Sequence, residues 1–380
     1  MDRTSMASSD ETLDAEAPAG GVLQISLSAL RANYRQLRAL AGGAAVAGVV
    51  KADAYGLGAA VVVPALLTEG CRSFFVAQLG EATALRSLLP PDAELFVLNG
   101  LSPGAEGPCA AIGAVPVLNS LDQIRRWGAE AARRGAVLPA ALQVDSGMSR
   151  LGLSPAEVEA IAAEPARLAG IRTVLVMSHL ACADEPAHPA SAHQRAAFRE
   201  LVARLPHTRL SLANSAGLFL GPDYGFDLAR PGIALYGGNP VADGRANPMQ
   251  PVVRLQARVV QTRDVPAGAG IGYGFSRVAD RPMRLATVGV GYADGWPRAL
   301  SNRAAAYLGD HRLPIAGRVS MDSTILDVTD LTAMPQPGAL VDLIGPHQTL
   351  DAVAELAGMI SYEILTSLGD RFERRIVREG

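Results

Sequence analysis

VVKADAYGLG, residues 49–58, is the stretch on which the reading of this chain turns. The small apolar run at residues 46–50 reads as a fully buried strand, and that strand stops at Lys51. A lysine amine that leaves a strand end beside glycine and tyrosine loses solvent, which lowers its pKa toward the working pH and suits it to Schiff-base formation. A lysine that merely snorkels or pairs at a sheet edge is the competing reading, and only the rest of the chain separates the two.

Outward from this strand, further apolar strand-like runs recur near residues 73–78, 94–98, 114–118, 140–145, 172–178, 209–213 and 232–236. Helical patterns fall between them at residues 57–69, 80–88, 120–134, 154–163 and 188–205, with a short one from Ser215. Alternation of buried strands with helices predicts a parallel sheet covered by helices, and eight such units predict closure into a barrel. Residues 237–250 (GGNPVADGRANPMQ) read as a linker or long turn. Short strands are then expected near residues 252–262, 284–290, 312–317 and 323–328, with a closing helix near 350–359. The expected class is therefore α/β: an eight-stranded (β/α)8 TIM-type barrel over residues 21–240, followed by a smaller, mainly β C-terminal domain over residues 241–380. Residues 1–20 are acidic and poor in bulky apolar side chains, so they are expected to be a disordered tail and not a signal peptide.

A chain of 380 residues is long for one ordinary core, and its formal net charge of −3 gives no argument for nucleic acid or a membrane surface as partner. No apolar run is long enough to span a bilayer. Cys71, Cys109 and Cys182 are odd in number and widely spaced, which points to buried free thiols in a reducing compartment, with the cytoplasm as default. His188 and His193 are five apart and fall on different helix faces, so no metal site is expected. The glycine runs at residues 268–274 and 289–295 lack the complete dinucleotide-binding spacing.

Barrel active sites gather at the C-terminal ends of the strands. Lys51 follows the first expected strand, Asp145 and Arg150 the fifth, His179 the sixth, and Asn214 and Ser215 the seventh. The run from Asn214 to Gly217 opens a helix, and the Gly232 and Ile233 amides lie nearby, an arrangement with which barrels bind phosphate. A Schiff-base lysine and a phosphate cradle on one rim suggest pyridoxal 5′-phosphate (PLP).

Nine motifs in order carry a family resemblance: VVKADAYGLG, DSGMSRLGL from Asp145, SHLACADEP from Ser178, LANSAG from Leu212, RPGIALYGG from Arg230, GYG from Gly272, VGYADGW from Val290, GRVSMD from Gly317 and SYEILTSLGDR from Ser361. Across residues 23–375 the chain resembles the fold-type III PLP-dependent alanine racemases. The resemblance implies that Lys51 holds PLP and acts as acid or base on one face of the substrate Cα. It implies that Tyr273 does so on the other face, inside the barrel of a partner subunit, so that a homodimer carries two composite sites. Arg230 would donate to the cofactor ring nitrogen and His179 would lie against the ring. Tyr55, Ser215, Gly232, Ile233 and Tyr362 would hold the phosphate beside Asn214. Arg150 would approach the phenolic oxygen. The backbone of Met321 would take the substrate carboxylate, with Asp322 beside it and Tyr292 at the entrance.

Two departures stand out. Many members carry a carbamylated lysine two residues before the aspartate of the DSGMSR motif; this chain has Gln143, whose amide is expected to orient the Arg150 guanidinium, alone or with a small anion such as chloride. Phe275, Ser276 and Arg277 follow Tyr273 where a small residue, threonine and an aromatic are more usual. The implied activity is interconversion of L- and D-alanine, supplying D-alanine for peptidoglycan. A broader amino-acid racemase, serine included, would use the same residues; a non-catalytic PLP carrier would need Lys51 without Tyr273, and a decarboxylase would need motifs that are absent.

Overall fold

The computed structural model describes residues 19–207 and 209–378. The tail expected over residues 1–20 therefore falls almost wholly outside the described residues.

The first described strand falls within residues 21–240, expected to be barrel, and is found in the second sheet. Strand β1 (Gly21–Ser26) pairs antiparallel with β11 (Val253–Val265) and parallel with β19 (Glu373–Val377), so both described ends meet in the second sheet. Ser26 then caps the helix Leu27–Leu40 by accepting from the Ala29 amide, with no loop between strand and helix.

The barrel follows. Its first stave is split at Ala47 into β2 (Ala45–Val46) and β3 (Gly48–Val49). From β3 the parallel order runs through β4 (Ser73–Val76), β5 (Glu94–Val97), β6 (Val115–Leu118), β7 (Leu138–Gln143), β8 (Ile171–Met177) and β9 (Leu210–Ser211). The eighth stave, β10 (Leu228–Ala229), closes the ring: it pairs with β2, Asn214 bridges to Arg230, and the Val49 amide reaches Pro231 O at 3.2 Å. The stave expected at residues 232–236 is a single turn of 3-10 helix, Ile233–Tyr236, held after β10. The covering helices end where their caps dictate. Ser120 and Gly135 bracket Leu121–Arg134, and Ser154 with Glu157 forms a capping box on Pro155–Ala163.

The second sheet runs β16 (His311–Pro314), β15 (Ala305–Leu308), β18 (Leu340–Ile344), β11, β1 and β19. The far half of β11 pairs antiparallel with β14 (Met283–Val288) across a register shift between Val259 and Gln261, and β14 pairs in turn with β17 (Thr324–Asp327). The hairpin β12 (Gly270–Ile271) and β13 (Arg277–Val278) stands off this end. One continuous core joins barrel and sheet, while the hairpin rests on a separate cluster of Ile271, Ala279, Met283, Leu285 and Ala316. Cys71 and Cys109 are buried free thiols, whereas Cys182 is only half-buried. Among the described residues no helix is long and apolar enough to cross a membrane.

Candidate active site

Immediately after β3 the backbone reverses hand. Ala52, Asp53, Ala54 and Tyr55 all have φ between 51° and 57°, one turn of left-handed helix built from residues that disfavour it. At about 1–2 kcal/mol each, the turn stores roughly 4–8 kcal/mol and persists only because its surroundings over-determine it. Its amides are spent on Val50 O (from Ala54, 2.9 Å) and Ala52 O (from Gly56, 2.8 Å), and Asp53 Oδ1 accepts from Ala59 at 2.7 Å. From the second sheet, Arg374 Nη1 donates to Gly56 O at 2.9 Å. The turn drives Lys51 into the barrel mouth and Tyr55 beneath it, where the Tyr55 ring lies 4.6 Å from Tyr236 and 5.9 Å from Tyr362.

Lys51 opens on a cavity of about 290 Å³ whose lining also includes Tyr55, Arg150, His179, Asn214, Ser215, Arg230, Gly232, Ile233 and Tyr362. Among the described residues Lys51, Arg150, Arg230 and His179 line it and no carboxylate does. Lys51 itself makes no ion pair among the described residues, which removes the paired-lysine reading. Burial and Arg150 hold its amine below the ordinary lysine range, with Glu81 acting the other way. The chain contains no other lysine; its remaining cations are arginines. No second side chain is therefore available for the carbamate of related proteins.

Arg230 follows β10 and is buried without an acidic partner among the described residues. Its Nη1 donates to Ser211 Oγ and its Nη2 to Ser178 O at 2.6 Å, while Ser211 donates to Leu228 O and the Ser178 hydroxyl pairs with Ser146 at 2.7 Å. Burial pulls the guanidinium down to about 9. Burial, then Arg230, Arg150 and Lys51, push His179 down to about 3, so its imidazole is neutral at neutral pH. Opposite these groups, Ser215 Oγ accepts from Gly232 (2.8 Å) and Ala234 (3.3 Å). Asn214 Oδ1 accepts from Gly217 at 2.9 Å. A Cβ on Gly232 would lie 2.1 Å from Tyr55 Oη, so glycine is required for the backbone to come this close. Burial and Asp184 raise Tyr362 to about 12.

Gln143 does not act as expected. Its Nε2 donates to Leu151 O at 3.1 Å, pinning the backbone beside Arg150 and leaving the guanidinium without a hydrogen-bond or ion-pair partner among the described residues. The cause is local: the Val144–Leu153 bridge folds the loop back, bringing the Leu151 carbonyl to the buried amide. Asp145 tightens the same loop by accepting from Gly147 (2.9 Å), Met148 (2.9 Å) and Ser149 (3.1 Å).

Tyr273, Tyr292, Met321 and Asp322 are not in this cavity. They lie on the second sheet's side, where Tyr273 occupies the tip of the β12–β13 hairpin. Phe275, with φ of 45°, folds its ring over Gly270. Tyr292 and Ala293 donate to Ser320 O and Met321 O at 3.0 and 2.9 Å, and Arg371 bridges buried Asp294 (2.7 Å) to Asp322 (2.8 Å). Arg371, Ser211 and Glu81 received no role from sequence, although Arg371 closes the SYEILTSLGDR motif; Glu81 and Ser211 lie outside every motif. Among the described residues no cluster of three or more His, Cys, Asp or Glu could hold a metal ion.

A parallel (β/α)8 barrel with a lone lysine at a strand end, facing an uncompensated basic cavity and joined to a β domain, defines a two-domain barrel enzyme built for an anionic ligand. The alanine racemase N-terminal domain model matches residues 25–240 and the alanine racemase C-terminal domain model residues 252–376. Two catabolic alanine racemases, from Agrobacterium fabrum and Mesorhizobium japonicum, are each 56% identical, over 95% of this chain and 93% and 94% of their own lengths. The crystal structure of alanine racemase from Bartonella henselae with covalently bound pyridoxal phosphate superposes with a TM-score of 0.91 at 44% identity, covering 95% of this chain and 100% of that one. The chain belongs to the alanine racemase family.

Proposed function

We propose that this chain interconverts L- and D-alanine with PLP held covalently on Lys51, in a homodimer whose sites are each completed by Tyr273 of a second copy. The observation that carries the reading is the cavity around Lys51, where basic side chains converge and no carboxylate offsets them. PLP fits it. Its phosphate and phenolic oxygen supply the missing negative charge, and the close backbone at Gly232 offers a cradle that any side chain would fill. When bound, the cofactor supplies an electron sink for the pair left at the substrate Cα.

The side chains do the rest. Lys51, its pKa lowered by burial, takes or returns a proton at Nζ on one face. Tyr273 does the same at Oη on the other, since a single base would have to cross the plane of the substrate. Arg230 remains a cation at neutral pH and donates toward the ring nitrogen, which keeps that nitrogen unprotonated and restrains side reactions. Neutral His179 lies against the ring. Tyr55, Asn214, Ser215, Gly232, Ile233 and Tyr362 hold the phosphate end, and Arg150 the phenolic side. The Met321 N–H takes the substrate carboxylate beside Asp322, with Tyr292 at the entrance.

Borohydride reduction of the yellow protein should attach the cofactor to Lys51, read by peptide mass mapping, and the enzyme should racemise alanine faster than serine or larger amino acids. A colourless protein that PLP does not restore, or label elsewhere than Lys51, refutes the reading; preference for serine would make it a broader racemase. Two relatives named catabolic favour a second physiological reading, in which the racemase serves alanine breakdown and not peptidoglycan supply. D-alanine auxotrophy of a deletion strain decides for supply, and loss of growth on one alanine enantiomer as carbon source, without auxotrophy, decides for breakdown.

A further inference from the structure

Two side chains from other elements grip the left-handed turn that presents Lys51: Arg374 at Gly56 O and Glu81 at the Ala52 amide. The second grip is placed one residue from the lysine. Glu81 lies in the first turn of the helix Leu79–Leu85, after β4. Its Oε2 accepts from Ala77 (2.7 Å) and Gln78 (2.8 Å), which is the ordinary work of a capping glutamate. Its Oε1 takes no part in that cap. It reaches across to the strained turn and accepts from Ala52 at 2.5 Å.

We infer that Glu81 is a positioning residue for Lys51: one carboxylate oxygen anchors the helix after β4 while the other fixes the first amide of the left-handed turn, and so aims the lysine amine into the cavity. The inference rests on the reading that Lys51 carries the cofactor. Two charged groups from other elements act on that amine, Arg150 from the loop after β7 and Glu81 from the helix after β4, while His179 and Arg230 line the same cavity. Glu81 is the acidic one, and it opposes the combined effect of burial and Arg150 on Lys51. On the turn itself, Asp53 is occupied by the Ala59 amide. Because a carboxylate at this position both restrains the turn and supplies charge, removing it has two separable effects.

Glu157 provides a matched control. It caps Pro155–Ala163 through Oε2 to Ser154 (2.9 Å) and also reaches a neighbouring amide, Leu121, through Oε1 (3.3 Å), with no lysine beyond it. The experiment compares holoenzyme, Glu81→Gln, Glu81→Asp and Glu157→Gln after borohydride mapping has established the cofactor on Lys51 in the parent. Two readouts are taken: the rate at which hydroxylamine strips the cofactor, followed by its visible band, and the pH titration of Lys51 in cofactor-free full-length protein by reductive ¹³C-methylation, which labels one lysine and the N-terminal amine. Glu81→Gln should release cofactor about tenfold faster, the effect of losing one charge-assisted hydrogen bond. It should also titrate Lys51 at lower pH. Glu81→Asp should restore the titration, since the charge remains, but not the release rate, since one methylene less cannot span helix and turn. Glu157→Gln should change neither. Parental release and titration in Glu81→Gln, with a stability loss like that of Glu157→Gln, would reduce Glu81 to a helix cap and overturn the inference. If Glu81→Gln does not fold, parental release in Glu81→Asp overturns it equally. A parent unlabelled at Lys51 sinks the cofactor reading at the first step, whereas a labelled parent with an indifferent Glu81→Gln sinks only the role of Glu81.

Discussion

The barrel mouth and the face that carries Tyr273 are opposites in construction. At the mouth, Tyr55, Ser215 and Arg230 are at most 5% exposed, the backbone is strained, and buried positive charge is left uncompensated. On the other face Tyr273 is 69%, Met321 53% and Tyr292 42% exposed, and the hairpin that carries Tyr273 rests on a small apolar cluster of its own. Yet that face is not loose. Asn302 ties Ser276 to Gly317, and Arg371 ties two carboxylates across the Met321 loop. Exposed side chains on a tied backbone are what the proposed composite site requires of the half that a second copy would supply, whereas the mouth holds its geometry within one chain.

The largest effect should come from breaking the two halves separately. Lys51→Ala should lose bound cofactor and activity together, whereas Tyr273→Phe should keep the cofactor and lose racemisation in both directions by roughly 10²-fold or more. Mixing the two variants under subunit exchange should restore up to about a quarter of sites, because half the dimers are mixed and one site in each escapes both changes. Near-parental racemisation by Tyr273→Phe, or no recovery on mixing, would end the shared-site view.

Acid should weaken the mouth. Burial lowers His179 from the usual 6.5 to about 3, so the unfolded chain binds a proton there that the folded chain refuses. Stability from this group is complete above pH 6.5 and drains as pH falls toward 3, by up to about 1.4 kcal/mol per pH unit. Denaturant titrations of cofactor-free protein across that window should show the slope, and His179→Gln should flatten it. An unchanged slope in His179→Gln would contradict the assignment.

A smaller and complementary effect is expected on the exposed face. Arg371→Gln leaves the buried Asp294 carboxylate short of a partner, at a cost of about 1–3 kcal/mol. Because Arg371 holds the loop of Met321 and not the cavity, KM for alanine should rise while cofactor retention is unchanged. Equal loss of both would mean that the two halves are mechanically one.

How much of this was legible in sequence follows from the range of the interactions. The barrel was legible because strands such as β4 and β6 are continuous apolar runs, and the caps at Ser120 and Ser154 are local signals. β10 was misplaced because two residues, Leu228 and Ala229, carry no periodicity, while the apolar Ile233–Tyr236 turn imitates a strand. β1 was missed as a member of the second sheet because its partners lie more than two hundred residues away. Side-chain identities at the site were readable, but their partners were not: Gln143 chose a backbone carbonyl over Arg150 because of a fold in the loop that no spacing reveals. The left-handed turn was equally hidden, since Ala-Asp-Ala favours the opposite hand.

That turn gives the smallest and sharpest test. In a right-handed helix Ala→Gly costs about 1 kcal/mol. At Ala52, where φ is 52°, Ala52→Gly should leave stability unchanged or raise it by up to about 1 kcal/mol, measured by denaturant unfolding. A loss as large as in an ordinary helix would mean that no strain is held there.

The position of β1 bears on how the protein is made. It leaves the ribosome before any other described strand, but its neighbours are β11 and β19, so its last edge is not met until Glu373 has been added. At about 5–20 residues per second, the roughly 350 residues between them take about 18–70 seconds to synthesise. Through that interval Val22, Leu23 and Ile25, all fully buried in the finished molecule, belong to a bare strand edge on a growing chain. Nascent chains arrested before Glu373 should therefore aggregate or recruit chaperones, as ribosome-release assays would register, and a soluble arrested chain with β1 protected from protease would show that it finds a temporary partner first.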